Sequence, residues 1–353
     1  MTNSPSTTLQ IKQRQKLNVL QVGRGYAALG VIFYHSWMAA RDFIGGVPAS
    51  VTSVLSQGYL GVDFFFVLSG FIILQVHRHD GRSLLAARTY LRKRALRIYV
   101  PYLPIGLGVA LLYTAAPHLS AAPRDWSLLT SLTLFPTEGP PALSVAWTLV
   151  HEVTFYAIFL LFYATRRFGW VMVLWAIALT FCLVLRPDIR GFIGAGLIKT
   201  VLNPINLEFL FGMAACLVWH RLSKPLALTM LAIGVAGCVA CVAMDIGPAN
   251  RVAFGAAVTL MVAALVALEH EGAIRAWSTL VVLGDASYAL YLVHRPLISV
   301  VVRGARVLHF EWWSAITLCV TASLIAGFLY NRFFENPLRT RLSKRFAPIH
   351  ETI

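Results

Sequence analysis

The sequence predicts an all-α membrane protein, a polytopic bundle of about ten transmembrane helices with both termini cytoplasmic. Three observations carry this. Of the 353 residues 58% are hydrophobic and only 13% charged, against about half apolar and a quarter charged in a soluble domain. The charged residues collect between apolar runs of about 20 residues, which is enough helix to cross a bilayer. The basic residues also favour one side by more than two to one. Lys12, Arg14 and Lys16 precede the first run, a cluster from Arg88 to Arg97 precedes the third, and Arg339, Arg341, Lys344 and Arg345 follow the last. That is the bias of cytoplasmic loops, and it accounts for the net charge of +15 without nucleic acid as a partner.

The first span, 18–39, follows a polar, basic segment, 1–17, with no convincing cleavage site, so it is expected to stay as a helix rather than leave as a signal peptide. It contains Arg24 and His35, eleven residues apart, hence on one helix face and about 16 Å apart along the axis. Intramembrane ionisable residues are costly and mark functional sites by default, although an arginine near a helix end also snorkels to headgroups. The second span, 57–76, holds "GYLGVDFFFVLSGFII", with Asp63 near the outer surface and Ser69 deep. The third, 98–116, is led in by "YLRKRALRIYVPY". There Arg94 and Arg97, three apart, share a face and suit a diphosphate through paired charge-assisted hydrogen bonds. Such clusters also act as topology anchors.

After an outer loop, 117–143, the fourth span, 144–165, holds "AWTLVHEVTFYAIF". Glu152 falls about two turns below the outer surface, where a carboxylate needs a partner or a water-filled cavity. Tyr156 lies in the same stretch. Spans five to eight, 168–186, 200–219, 225–244 and 252–269, are apolar. Cys238 and Cys241 form a CxxC with no second ligand pair, and the histidines lack ligand spacing, so no metal is expected. The ninth span, 281–302, holds "SYALYLVHRPLI" with Tyr288, Tyr291 and His294; tyrosines at a membrane interface are normally belt residues. The tenth, 313–334, closes a membrane domain of 18–338, ahead of a basic tail, 339–353.

In this order the stretches resemble the acyltransferase-3 family of integral membrane acyltransferases, over residues 18 to about 340. The carriers are Arg24 and His35 in an R-x10-H arrangement, "GVDFFFVLSGFII", "RKRALR", "WTLVHEVTFY", "NLEFLFGM", "SYALYLVHRPL" and "NRFFENPLR". "LQVGRGYAAL" is most similar to the branch that acetylates bacterial exopolysaccharides, although Tyr26 stands where an aliphatic residue is expected.

The resemblance implies transfer of an acetyl group from cytoplasmic acetyl-CoA, with no permanently bound cofactor, in the bacterial cytoplasmic (inner) membrane. The acceptor would be a sugar hydroxyl of an exopolysaccharide, a lipopolysaccharide or a lipid-linked glycan precursor. It carries Arg24, Arg94 and Arg97 over as donor-binding residues and His35 and Glu152 as catalytic ones. Asp63, Ser69, Tyr156, Tyr291 and His294 are the candidate substrate-binding residues. His35 would be a general base or a transiently acetylated nucleophile, and Glu152 would orient His35, balance its charge or bind acceptor hydroxyls. Some relatives add an extracytoplasmic hydrolase-like domain; a relay of that kind would here need separate polysaccharide-assembly proteins, besides membrane lipid, as partners. Two alternatives stand beside this: a glycan transporter or flippase without acyl chemistry, and an acyltransferase with another acyl group or a secondary-metabolite acceptor.

Overall fold

The protein is described by a computed structural model covering residues 17–116, 125–187, 194–244 and 249–345. Lys12, Arg14, Lys16, Arg124 and Arg190, with residues 346–353 of the basic tail, lie outside the described residues. Every regular element among the described residues is helical. In chain order the α-helices are α1 (Asn18–Phe43), α2 (Ala49–Leu55), α3 (Gly61–His77), α4 (Leu84–Ala115), α5 (Leu128–Thr133), α6 (Trp147–Phe159), α7 (Leu161–Ala164), α8 (Phe168–Leu185), α9 (Ala195–Val201), α10 (Leu207–Val218), α11 (Lys224–Ala243), α12 (Asn250–His270), α13 (Ser278–Asp285), α14 (Ser287–Val307), α15 (Trp312–Tyr330) and α16 (Asn336–Arg345).

Among the described residues, eight helical stretches are long and apolar enough to cross a membrane. The stretches expected as the first and ninth spans fall outside that set. Helix α1 has 26 residues and α14 has 21, so length suffices for both. Arg24, His35, Arg41 and Asp42 in α1, and His294, Arg295, Arg303 and Arg306 in α14, are what hold their hydropathy down. Ionisable side chains are thus what keep these two long helices out of the apolar set. Both lie inside the bundle: α1 packs against α3, α12, α13, α14 and α15. The most apolar, α8 and α11, are also the least buried, as lipid-facing helices should be.

Two boundaries differ from expectation. Helix α4 begins at Leu84, ahead of the basic cluster expected as a loop before residue 98, because the Ser83 side chain caps it by accepting from the Ala86 N–H. Arg88, Arg94 and Arg97 thus ride on one continuous 32-residue helix. Pro101 and Pro104 lie inside it, and tyrosine hydroxyls anchor this stretch from neighbouring helices: Tyr288 donates to the Ile98 carbonyl (3.1 Å) and Tyr330 to that of Pro101 (2.8 Å). The expected span 200–219 is broken where the Asn203 side chain and Pro204 start a short 3-10 turn before α10.

Helices α3 and α10 cross with almost no side chain between them. A Cβ built on Gly212 would overlap the carbonyl oxygen of Val67, and one on Gly70 that of Phe209, the close small-residue approach used by membrane helices. Gly212→Ala is expected to cost about 1–3 kcal/mol and to lower the yield of folded protein in detergent, read by size-exclusion chromatography. An unchanged thermal midpoint would show that the helices part freely.

Candidate functional site

Buried between α1, α3, α4, α6 and α14 is a narrow cavity of about 70 Å³, room for about five waters at roughly 10–15 Å³ each. Its polar lining divides along its length. At one end stand Arg24 from α1 and Arg94 and Arg97 from α4; further in come Ser69, Glu152, Tyr156 and Tyr288, then Thr148 and Tyr291. An apolar bundle would not hold three guanidiniums at one spot without counter-charge. It supplies Glu152, Glu335 and Asp285, which face Arg24, the first two facing Arg97 as well. Glu335 sits at the end of a π-helical turn, Asn331–Glu335, and takes a hydrogen bond from the Asn331 amide (3.0 Å). Such turns commonly redirect side chains at functional sites.

Several cavity side chains are held by hydrogen bonds. Arg24 is only 8% exposed and donates to Gln21 (3.3 Å) one turn earlier. Glu152 accepts from the Tyr156 hydroxyl, one turn on in α6, and from Ser69 of α3 (3.4 Å). The Tyr291 hydroxyl donates to the Val145 carbonyl (3.0 Å) and pairs with Thr148 (2.9 Å). Two lining groups are exceptions: the Arg94 Nε and the Ser287 hydroxyl are buried with no hydrogen-bond partner, and an anion would satisfy either donor.

Beyond Tyr291, whose ring lies 5.7 Å from that of His294, two histidines meet. His294 Nε2 lies 3.0 Å from His35 Nδ1, although the residues are 259 apart in sequence. The network fixes their tautomers. The His294 Nδ1 lies 3.1 Å from the Leu290 carbonyl, which only accepts, so Nδ1 carries the proton and Nε2 a lone pair. His35 Nδ1 likewise faces the Val31 carbonyl (3.1 Å) and the His294 lone pair, so it too is the N–H. That leaves His35 Nε2 with its lone pair unengaged. His35 is half-buried, whereas His294 is fully buried.

The residues singled out from the sequence therefore fall into three groups. Arg24, Arg94, Arg97, Ser69, Glu152, Tyr156 and Tyr291 line one cavity. His35 and His294 form a pair beside it. Glu152 is not brought to His35; its partners are Tyr156, Ser69 and the arginines. His294, expected against substrate, has 0% of its surface exposed and touches His35 instead. Asp63 is apart from both: fully buried, it holds Arg251 of α12 by two hydrogen bonds of 3.0 and 2.9 Å. Beside it lies the buried Glu208. No role was read from the sequence for Glu208 or Glu335, although both lie in stretches that carry the resemblance, "NLEFLFGM" and "NRFFENPLR"; Arg251 and Asp285 showed only as charges next to apolar runs. Among the described residues no group of three or more His, Cys, Asp or Glu side chains could hold a metal.

A family model described as an acyltransferase domain matches residues 17–332. The chain is 30% identical over 303 residues to the exopolysaccharide production protein ExoZ of Rhizobium meliloti (strain 1021), covering 80% of this chain and 90% of that one. It is 26% identical to the acyltransferase MdmB of Streptomyces mycarofaciens, covering 91% of each. To the peptidoglycan O-acetyltransferase OatA of Listeria monocytogenes it is 24% identical, over 90% of this chain and 54% of the relative. No solved structure matches.

Proposed function

The chain belongs to the family of membrane acyltransferase domains, and from that premise we propose that it moves an acetyl group from cytoplasmic acetyl-CoA to a hydroxyl of a surface glycan. The carrying observation is the layout along α1, with three arginines at one end of the helix and the His35–His294 pair at the other. An elongated donor with a phosphorylated head and a reactive far end fits that layout; a freely passing solute needs neither end. The names of relatives point to the acceptor: one is an exopolysaccharide production protein and another an O-acetyltransferase of peptidoglycan. The membrane concerned would be the bacterial cytoplasmic membrane.

Arg24, Arg94 and Arg97 hold the donor phosphates, and the unpartnered Arg94 Nε is the donor group most in need of one. Acetyl-CoA supplies an activated thioester carbonyl. His35 Nε2 takes the proton from the acceptor hydroxyl as its oxygen bonds to that carbonyl; the carbon–sulfur bond breaks, and the imidazolium returns the proton to the departing sulfur. His294 accepts from His35 Nδ1–H throughout, fixing the ring and the tautomer, as a triad carboxylate does elsewhere. Glu152 balances the arginines rather than His35.

The test is the O-acetyl content of the surface polysaccharide in a deletion strain complemented with wild type or His35→Ala, by proton NMR before and after mild alkali. Acetyl signals restored by wild type alone, at equal expression, are the expected result. Signals unchanged in all strains would sink the glycan acetyltransferase reading, and loss of the polysaccharide itself would favour transport.

A further inference from the structure

The turn after α3 holds a network that the transfer chemistry does not use. His77, 4% exposed, is the last residue of α3 and faces Asp80 across the turn, with Nδ1 2.8 Å from Asp80 Oδ2. The Tyr163 hydroxyl of α7 donates to the same carboxylate oxygen at 2.7 Å. On the other side of the ring, His77 Nε2 lies 3.0 Å from Arg94 Nη2. A guanidinium only donates, so Nε2 must be bare, Nδ1 must carry the proton, and that proton must point at Asp80. The carboxylate thus selects the one neutral tautomer that can hold Arg94. Burial alone would raise the Asp80 carboxyl; the His77 and Tyr163 hydrogen bonds outweigh it and hold the group below the usual carboxylate range. Every other side chain against His77 is either neutral or cationic: the Tyr90 ring at 4.9 Å, the Phe159 ring at 6.3 Å, and Lys93 on α4.

From this geometry we propose that His77 is a positioning residue that aims Arg94 at the donor's anionic head, and that its protonation releases Arg94, making donor binding weaken as cytoplasmic pH falls. The proposal rests on the reading of Arg94 as a phosphate ligand. With one Nη tied to His77 and the side chain lying over the Tyr90 and Tyr156 rings at 5.9 and 5.7 Å, the guanidinium has a single orientation, with its buried Nε unengaged. A protonated His77 has two N–H groups and no lone pair. Nε2–H then opposes Arg94 N–H, and a second positive charge sits against Arg94 and Lys93. The sign follows: the acceptor is present at high pH and lost as pH drops.

The measurement is equilibrium binding of radiolabelled acetyl-CoA to the full-length protein in detergent between pH 5.5 and 8. His77→Leu is expected to weaken binding at pH 8 by about tenfold, the worth of one charge-assisted hydrogen bond, and to flatten the pH profile. His77→Gln keeps an acceptor without a titrating group, so binding should stay near wild type at pH 8 and no longer fall on acidification. Asp80→Leu leaves the Tyr163 hydroxyl, 3.1 Å from His77 Nδ1, as an acceptor, so it should weaken binding less than His77→Leu. If Arg94→Gln weakens binding while both His77 variants match wild type at every pH, the positioning role is wrong. If Arg94→Gln itself binds acetyl-CoA normally, it is the phosphate reading that fails.

Discussion

Replacing His35 by glutamine is expected to lower acyl transfer by about 10²- to 10⁴-fold, the usual worth of a positioned general base, while acetyl-CoA binding stays within about twofold, since the histidine pair lies beside the arginine-lined cavity rather than in its lining. Glutamine can still donate from its amide to the Val31 carbonyl and fill the space, but it has no nitrogen lone pair to accept the hydroxyl proton. His294→Phe should cost less than His35→Gln yet act on the same step. It removes the acceptor that fixes His35 Nδ1 as the N–H, so the ring divides between tautomers and only one leaves Nε2 bare. His294→Gln restores an acceptor oxygen and should recover part of the loss. Measured as labelled acetyl incorporation into glycan acceptor by membrane vesicles, the order is wild type, His294→Gln, His294→Phe, His35→Gln. Equal activity in His294→Phe and wild type would remove the orienting role. Near-normal transfer by His35→Gln would overturn the base assignment, and a trapped acetyl-histidine would replace it with the covalent route.

What the sequence disclosed, and what it withheld, follows from contact range. The R-x10-H spacing was legible because helix periodicity alone puts Arg24 and His35 on one face of α1, and Arg94 and Arg97 were legible for the same reason on α4. The lipid-crossing class was legible because composition decides it. Pairings between helices were not. Nothing local says that His35 meets His294 and not Glu152, 259 positions against 117 being equally remote to a reader of one chain. Asp63 stood as a candidate substrate-binding residue because its partner, Arg251, is 188 residues away. The turn that holds His77 and Asp80, just past the expected second span, carried no local signal. Only α4 packed alongside, bringing Arg94 to the ring, makes that turn more than a cap. The acids Glu335 and Asp285 drew no role from local sequence because the arginine that both face, Arg24, lies on another helix; Glu335 also pairs with Arg339 four residues on.

Those counter-charges shape the second large effect, Arg97→Gln. Arg97 interacts with charges of both signs: Arg24 as well as Glu152 and Glu335, beside the hydroxyls of Tyr156 and Tyr288. With a phosphate bound, a guanidinium there makes up to two charge-assisted hydrogen bonds, each worth about 1.5–3 kcal/mol in a dry site. The substitution is therefore expected to raise the KM for acetyl-CoA about 10- to 100-fold or more, with kcat lowered less. Two mechanisms would give that number. Arg97 either contacts the phosphates or holds Glu152 and Glu335 in place, since removing one partner of a buried charge set leaves the others uncompensated. The donor separates them. Acetyl-pantetheine carries the same thioester without any phosphate, so a phosphate contact predicts that Arg97→Gln is slow with acetyl-CoA and indistinguishable from wild type with acetyl-pantetheine. Added salt should weaken acetyl-CoA binding in wild type more than in the variant. Equal loss with both donors would mean that Arg97 supports the carboxylates. In that case Arg97→Gln combined with Glu152→Gln, which removes the stranded charge, should recover activity that the single variant lacks.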